Sequence, residues 1–262
     1  MRILLSLENG KDFEHLTECL YNVLKVFDSD EVFIDMFHVH PMRGIAKVTE
    51  IKEIVEEIHA DEFKHKVETI AKMENQLEKH LAEKLNKAVL VNSLVVKGDY
   101  QTKLHDRIIF QRYDLLVLNP PKKNNFDLIL HGSNTHWVID SLEVPILILP
   151  KGLKFEATPE SMCICFVDNV NSFNSIKRSQ AINFINPDKL SYKFFGKETI
   201  SEEVETIFCS DPLKAISEFT SNRDHHNICI MHHRNKGDFL NFLDKSFTKH
   251  LIKSLENPLI IF

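Results

Sequence analysis

Residues Tyr113 to Pro150, YDLLVLNPPKKNNFDLILHGSNTHWVIDSLEVPILILP, decide the fold. Asp114-Leu-Leu-Val-Leu118 carries the unbroken apolar run of a parallel strand buried on both faces. Val144-Pro-Ile-Leu-Ile-Leu149 is a second such run, with Pro145 tolerable at the strand's first residue or on an edge. Between them, Gly132-Ser133 stands just ahead of Thr135-His-Trp-Val-Ile-Asp-Ser141, whose apolar spacing is helical. A helix that starts there leaves unpaired backbone N–H groups facing outward, which outlines an anion site.

The same pattern recurs 113 residues later. His226–Met231 lies on Tyr113–Leu118, and Lys245–Pro258 lies on Gly132–Pro145. Without a gap, Ser133/Ser246, Thr135/Thr248, Ile139/Ile252, Ser141/Ser254, Leu142/Leu255, Glu143/Glu256 and Pro145/Pro258 are identical. One offset shared by two strands, a loop and a helix reads as an internal duplication. The expected fold class is therefore α/β: two tandem, doubly wound parallel-sheet domains, residues 1–151 and 152–262, the second trimmed.

The pattern resembles the universal stress protein family, specifically its tandem two-domain members, over nearly the whole chain. In that family a strand leads into a loop of the form Gly-x2-Gly-x9-Gly-Ser/Thr, which cradles ATP phosphates in the ATP-binding branch. Laid on this sequence, the three glycine positions become Asn119, Lys122 and Gly132, followed by Ser133. Only Gly132 and Ser133 keep the pattern; in the second copy His232, Asn235 and Lys245 replace all three glycines. By resemblance, a nucleotide site in the first half comprises Glu8 after the first strand, Val39 after the second, and Leu118, Asn119, Lys122, Gly132 and Ser133. The implied ligand is ATP. Pro120 and Pro121 remove two backbone donors from the loop, and the side chains of Asn119 and Lys122 stand where glycine permits close approach. Lys122 and Lys123 add positive charge in return. In the second half Asp168 keeps the acidic position, but no cradle remains.

Length and composition agree with a two-domain protein. The 262 residues suffice for two ordinary domains. A net charge of −6 argues against a nucleic-acid binder, which needs a basic face. No apolar run approaches the roughly 20 residues of a membrane span. The five cysteines, Cys19, Cys163, Cys165, Cys209 and Cys229, are odd in number and lack a C-x-x-C pair. They read as reduced thiols, and the expected location is the cytoplasm.

Taken in order, Ile3–Leu7 is a first strand and residues 13–27 a helix with apolar positions three and four apart. Val32–Val39 is a second strand. Residues 45–87 hold the longest helical region, where the jump from Ile58 to Phe63 suggests two helices meeting near Ala60-Asp61. Val89–Val96 is a third strand, followed by a helix around Leu104–Phe110. Residues 152–160 form a linker. The second copy begins with Met162–Val167, then a helix around Ser175–Ile185 and strands at Leu190–Phe195 and Val204–Phe208. Only eight residues separate these last two strands, so the long helix of the first half has no room, and one face is left to lie against the first domain or a partner.

Two other chemistries have candidate residues, metal binding and nucleophilic catalysis. His38 and His40 share one strand face, but a metal site needs a third ligand that the sequence does not identify. His225-His226 and His232-His233 bracket a strand and stand about 20 Å apart, too far for one ion. Ser133, His131, His136 and Asp127 lack the spacing of a triad, and G-x-S-x-G is absent. The expected function is a stress-response or regulatory binding module without catalytic residues, a pseudo-dimer within one chain and a candidate homo-oligomer. The alternatives are an ATP/AMP-binding switch or weak ATPase using the first-half crevice, and a scaffold docking a protein partner through the second half.

Overall fold

The computed structural model describes residues 1–7, 13–41, 49–118, 137–138, 141–149, 155–167, 169–210, 212–221, 227–231 and 257–261. The first half runs β1 (Arg2–Ser6), α1 (Phe13–Val26), β2 (Glu31–His40), α2 (Thr49–Lys84), β3 (Ala88–Lys97), α3 (Tyr100–Phe110), β4 (Leu115–Leu118) and β5 (Ile146–Ile148). The second runs β6 (Cys163–Val167), α4 (Val170–Arg178), 3-10 turns at Gln180–Phe184 and Pro187–Lys189, β7 (Leu190–Gly196), β8 (Glu205–Phe208), α5 (Pro212–Ser221), β9 (Ile228–Met231) and β10 (Leu259–Ile261).

The ten strands among the described residues join one sheet in the order β3-β2-β1-β4-β5-β10-β9-β6-β7-β8. Every pairing is parallel except the central one, where β5 and β10 run antiparallel with Leu147 opposite Ile260. The order is a mirror image about that seam. β9 and β10 begin 113 residues after β4 and β5, the same offset as the sequence identities.

The unbroken apolar runs have a direct cause: both faces of the sheet are covered. On one face Ile3, Leu5, Leu115, Val117, Cys163, Ile230 and Ile260 pack with α1 and α2 in one cluster that crosses the seam. On the other, Leu4, Leu116, Ile146, Ile164 and Leu259 pack with Leu104 of α3 and Ile216 of α5. Burying each such side chain stabilises by about 1.5–3 kcal/mol.

Two helical expectations are corrected. Residues 49–84 form a single helix rather than two meeting near Ala60-Asp61. No Gly or Pro occurs between Thr49 and Lys84, so nothing in the sequence kinks the backbone there, and Ala60 favours continuation. Ile70, Met73, Leu77 and Leu81 form its buried stripe. The helix placed near Ser175–Ile185 instead starts at Val170, under an Asn169–Ser172 capping box, and ends at Arg178. The chain then tightens into the 3-10 turn, where Ile185 bridges Phe27 and Asp28 N–H donates to Phe184 O at 2.5 Å. Those contacts tie the second half to the end of α1. Between β7 and β8 there is no counterpart of α2, as the short spacing requires. Helix α5 is an addition that the chain-order reading passed over.

Gly98 ends β3 at φ +145°, a conformation that side-chain-bearing residues rarely adopt. Asp99 then caps α3 by accepting from Thr102 N–H at 2.9 Å. Among the described residues no helix is long and apolar enough to cross a membrane.

Candidate functional site

The strand order reverses at β1, which has β2 on one side and β4 on the other, both parallel to it. In open α/β sheets the carboxyl ends of the strands around such a switch point form the ligand crevice. β1 pairs with β2 only as far as Ser6 opposite Phe37, so His38, Val39 and His40 run on beside β3 alone. Leu118 closes β4 opposite Ser6, and its carbonyl accepts from Leu149 N–H at 3.2 Å. Val39 and Leu118 are both buried on the α3 face and, two strand spacings and two residues out of line, stand about 11–12 Å from each other. These two predicted residues are thus brought to one rim. Glu8, Asn119, Lys122, Gly132 and Ser133 lie outside the described residues, as do Lys123, Asp127, His131, His136, Asp168, Lys245 and the histidines at 225–226 and 232–233.

Polar contacts lie at this end of the sheet on both faces. Leu7 N–H donates to Phe37 O at 2.8 Å, extending the ladder one step past β1. His38 Nδ1 lies 2.7 Å from Leu7 O; a carbonyl only accepts, so Nδ1 carries the proton. Burial, with the nearby Lys66 and His40 charges, holds His38 below the usual histidine range despite that bond. The Ser6 and Tyr100 hydroxyls are hydrogen bonded at 2.8 Å, joining β1 to the start of α3.

The second half fills the equivalent space. Phe166 pairs with Met231 as Ser6 pairs with Leu118, and Phe195 lies two residues past the partner of Phe166 as Val39 lies two past Phe37. So phenylalanines replace Ser6 and Val39. Phe166, Phe195 and Phe219 of α5 pack ring to ring at 5.7–6.2 Å between centroids, a spacing typical of aromatic packing.

The two histidines of β2 share one face, as alternation requires, and take different partners. His38 is committed to Leu7, and His40 lies edge-on to Phe63 of α2 at 5.8 Å. There it meets His59 and Glu62, and the three offer one ligand atom each within 4.8 Å of one another. The sequence reading found His40 but missed its two companions. The usable signal was their i, i+3 spacing on one helical turn together with the antiparallel return of α2 along β2. Cys163 and Cys165 sit in the core, and burial lifts the Cys163 thiol to about 12, which matches packing rather than ligation.

No protein-family model matches the sequence, and no curated protein matches it. Solved structures do. A universal stress protein from Archaeoglobus fulgidus DSM 4304 superimposes with a TM-score of 0.66 at 13% identity, covering 99% of this chain and 95% of that one. A protein described as a putative universal stress protein from Pseudomonas aeruginosa UCBPP-PA14 gives 0.52 at 11% identity, with 100% and 92% covered. The cytoplasmic domain of a prokaryotic cation chloride cotransporter gives 0.50 at 9% identity, with 99% and 94% covered. With its parallel sheet, its helices on both faces and this full-length superposition, the chain has the fold of the universal stress proteins.

Proposed function

We propose that this chain is a universal-stress-protein-like regulatory binding module without turnover, built from two copies of one α/β half that pair inside a single chain. The observation that carries the reading is the mirror-image strand order about the β5–β10 seam, together with the 113-residue offset of β4/β9 and β5/β10. The same fold in a cotransporter's cytoplasmic domain is a reminder that fold alone does not choose function. The absence of catalytic residues is a reading of the sequence, in which no nucleophile–base pair has the needed spacing.

A second reading, an ATP- or AMP-binding switch in the first half, is favoured by Val39 and Leu118 standing together at the rim of the switch point. The packed Phe166–Phe195–Phe219 cluster supports confining any nucleotide to the first half. Titration calorimetry with ATP and Mg2+ on the parent and on Gly132→Asp separates the readings. Heat from the parent that the variant abolishes establishes the switch; no heat from either removes it. Phosphate release during the same experiment overturns the no-turnover reading. Native mass spectrometry of freshly purified protein then reports carried small molecules and subunit count together.

A further inference from the structure

We propose that His40, His59 and Glu62 form a binding site for a divalent transition-metal ion, with Zn2+ as the reference ligand. His40 is the last residue of β2; His59 and Glu62 lie one turn apart on α2. Each brings a ligand atom to within 4.8 Å of the other two. His59 Nδ1 and Glu62 Oε2 are already 3.5 Å apart. The edge of a tetrahedron with zinc bonds of 2.0–2.1 Å is about 3.3–3.4 Å, so that pair is set close to coordinating distance. The His40 ligand atom lies within 4.8 Å of both, so a side-chain adjustment of at most about 1.5 Å closes the face.

A second observation points the same way. His40 Nε2 is buried and has no hydrogen-bond partner among the described residues. A buried polar atom left unpaired costs about 1–3 kcal/mol, and a metal ion at this position would remove that cost. Two histidines and one glutamate leave a fourth position open, the arrangement of a zinc ion that keeps an exchangeable ligand. The site lies on the α2 face of the sheet, opposite the face that carries Val39 and Leu118.

Two cations oppose the ion. Lys66 and Lys97 both depress His40 through their charge, and Lys97 Nζ sits 4.4 Å from the centre of the Phe63 ring. Their repulsion sets the affinity of a metal site, and it would have the opposite sign for an anion site built on the same residues. That difference makes the proposal testable in both directions.

The experiment uses the full chain, stripped with a chelator, and Zn2+ alone as the probe, with a chromophoric chelator as competitor. One Zn2+ per chain is expected. His40→Ala, His59→Ala and Glu62→Gln should each weaken binding about tenfold or more, while His65→Ala on the outer face of α2 should not. Lys97→Gln should tighten binding a few-fold. Co2+ should give the absorption of a four-coordinate site, lost in Glu62→Gln. Because His59 and Glu62 lie near the surface, their variants keep the test open even where His40→Ala fails to fold. Zinc binding that all three substitutions leave unchanged, or no stoichiometric binding, overturns the proposal. Weaker Zn2+ binding in Lys97→Gln also overturns it, because removing a repelling cation from beside a bound cation should only tighten binding.

Discussion

Asp35 is the perturbation with the clearest expected outcome. It is 6% exposed in the middle of β2, and one oxygen, Oδ2, accepts from Arg2 Nη2 at 3.1 Å, Arg107 Nη2 at 3.0 Å and the Tyr113 hydroxyl at 2.7 Å. Arg107 Nε in turn donates to the Tyr113 oxygen at 2.7 Å, and Arg2 Nη2 reaches Gln111 Oε1 at 2.5 Å. This hub ties β1, β2, α3 and the entry to β4 together at the end of the sheet away from the crevice. Breaking a buried ion pair from one side costs about 3–5 kcal/mol, because the remaining charge is stranded. Here the Arg2 side chain is 41% exposed and Arg107 21%, so water recovers part of the loss. Asp35→Ala is therefore expected to lose about 2–4 kcal/mol, roughly 5–15 °C in melting temperature for a chain of this size. Tyr113→Phe should lose about 1 kcal/mol. The double variant should lose less than the sum, since both changes remove the same hydrogen bond.

The pH dependence supplies the refutation. Burial alone would raise the Asp35 carboxyl, but the Tyr113 and Arg2 hydrogen bonds and the Arg107 and Arg2 charges outweigh it and hold it below 3.8. A carboxylate depressed in the folded state stabilises fully above its unfolded value of about 3.9 and loses that contribution as pH falls through the folded value. Urea midpoints at about pH 7, 5 and 3 should therefore show the gap between parent and Asp35→Ala constant from 7 to 5 and narrower at 3. An unchanged midpoint in Asp35→Ala at pH 7, or a gap that does not narrow at pH 3, would refute the hub.

Leu147→Ala and Ile260→Ala, opposite each other across the seam and both fully buried, should each cost about 2–5 kcal/mol. A double-mutant cycle should give a coupling of about 0.5–3 kcal/mol; strict additivity would mean that the halves do not share a core. Burial raises the Cys19 thiol to about 11 and Cys163 and Cys229 to about 12, and lifts Cys165 as well. Iodoacetamide near neutral pH should therefore modify the half-buried Cys209 first and the other four only on unfolding, as peptide mapping by mass spectrometry would show. Gly98→Ala forces a side chain into φ +145° with a new Cβ 2.9 Å from Lys103 Cε. A loss of about 1 kcal/mol or more in thermal unfolding is expected, and a neutral result would mean that the β3–α3 turn can relax.

The frame of this fold was legible because both-face burial writes itself into sequence as unbroken apolar runs. Leu115–Leu118 and Ile228–Met231 could be matched at one offset because each residue of a parallel inner strand is constrained, whichever face it meets. Helix boundaries were less legible. The gap between Ile58 and Phe63 looked like a joint because apolar spacing reports which face is buried, and the backbone continues through any residue that is not a breaker. Of the site, Val39 and Leu118 could be placed because they end strands. His59 and Glu62 carry only their i, i+3 spacing as a local signal; their meeting with His40 depends also on how α2 returns across β2, which no single stretch shows.

Among the described residues the two halves differ at the carboxyl ends of their strands and in the long helix before β3, and their cores explain why they can. β5 and β10 bury Leu147 and Ile260 against each other, and the cluster around them runs without a break from α1 to the strands of the second half. That shared core fixes the seam, so each half is held by its neighbour. The first half has polar contacts at Ser6–Tyr100 on one face and at His38 on the other, and the long helix that carries His59 and Glu62. The second has no equivalent of that helix and closes its rim with three phenylalanines. Aromatic packing of this kind adds stability where an open crevice would subtract it. On the duplication reading, the second half thus stabilises the seam, and binding chemistry concentrates in the first.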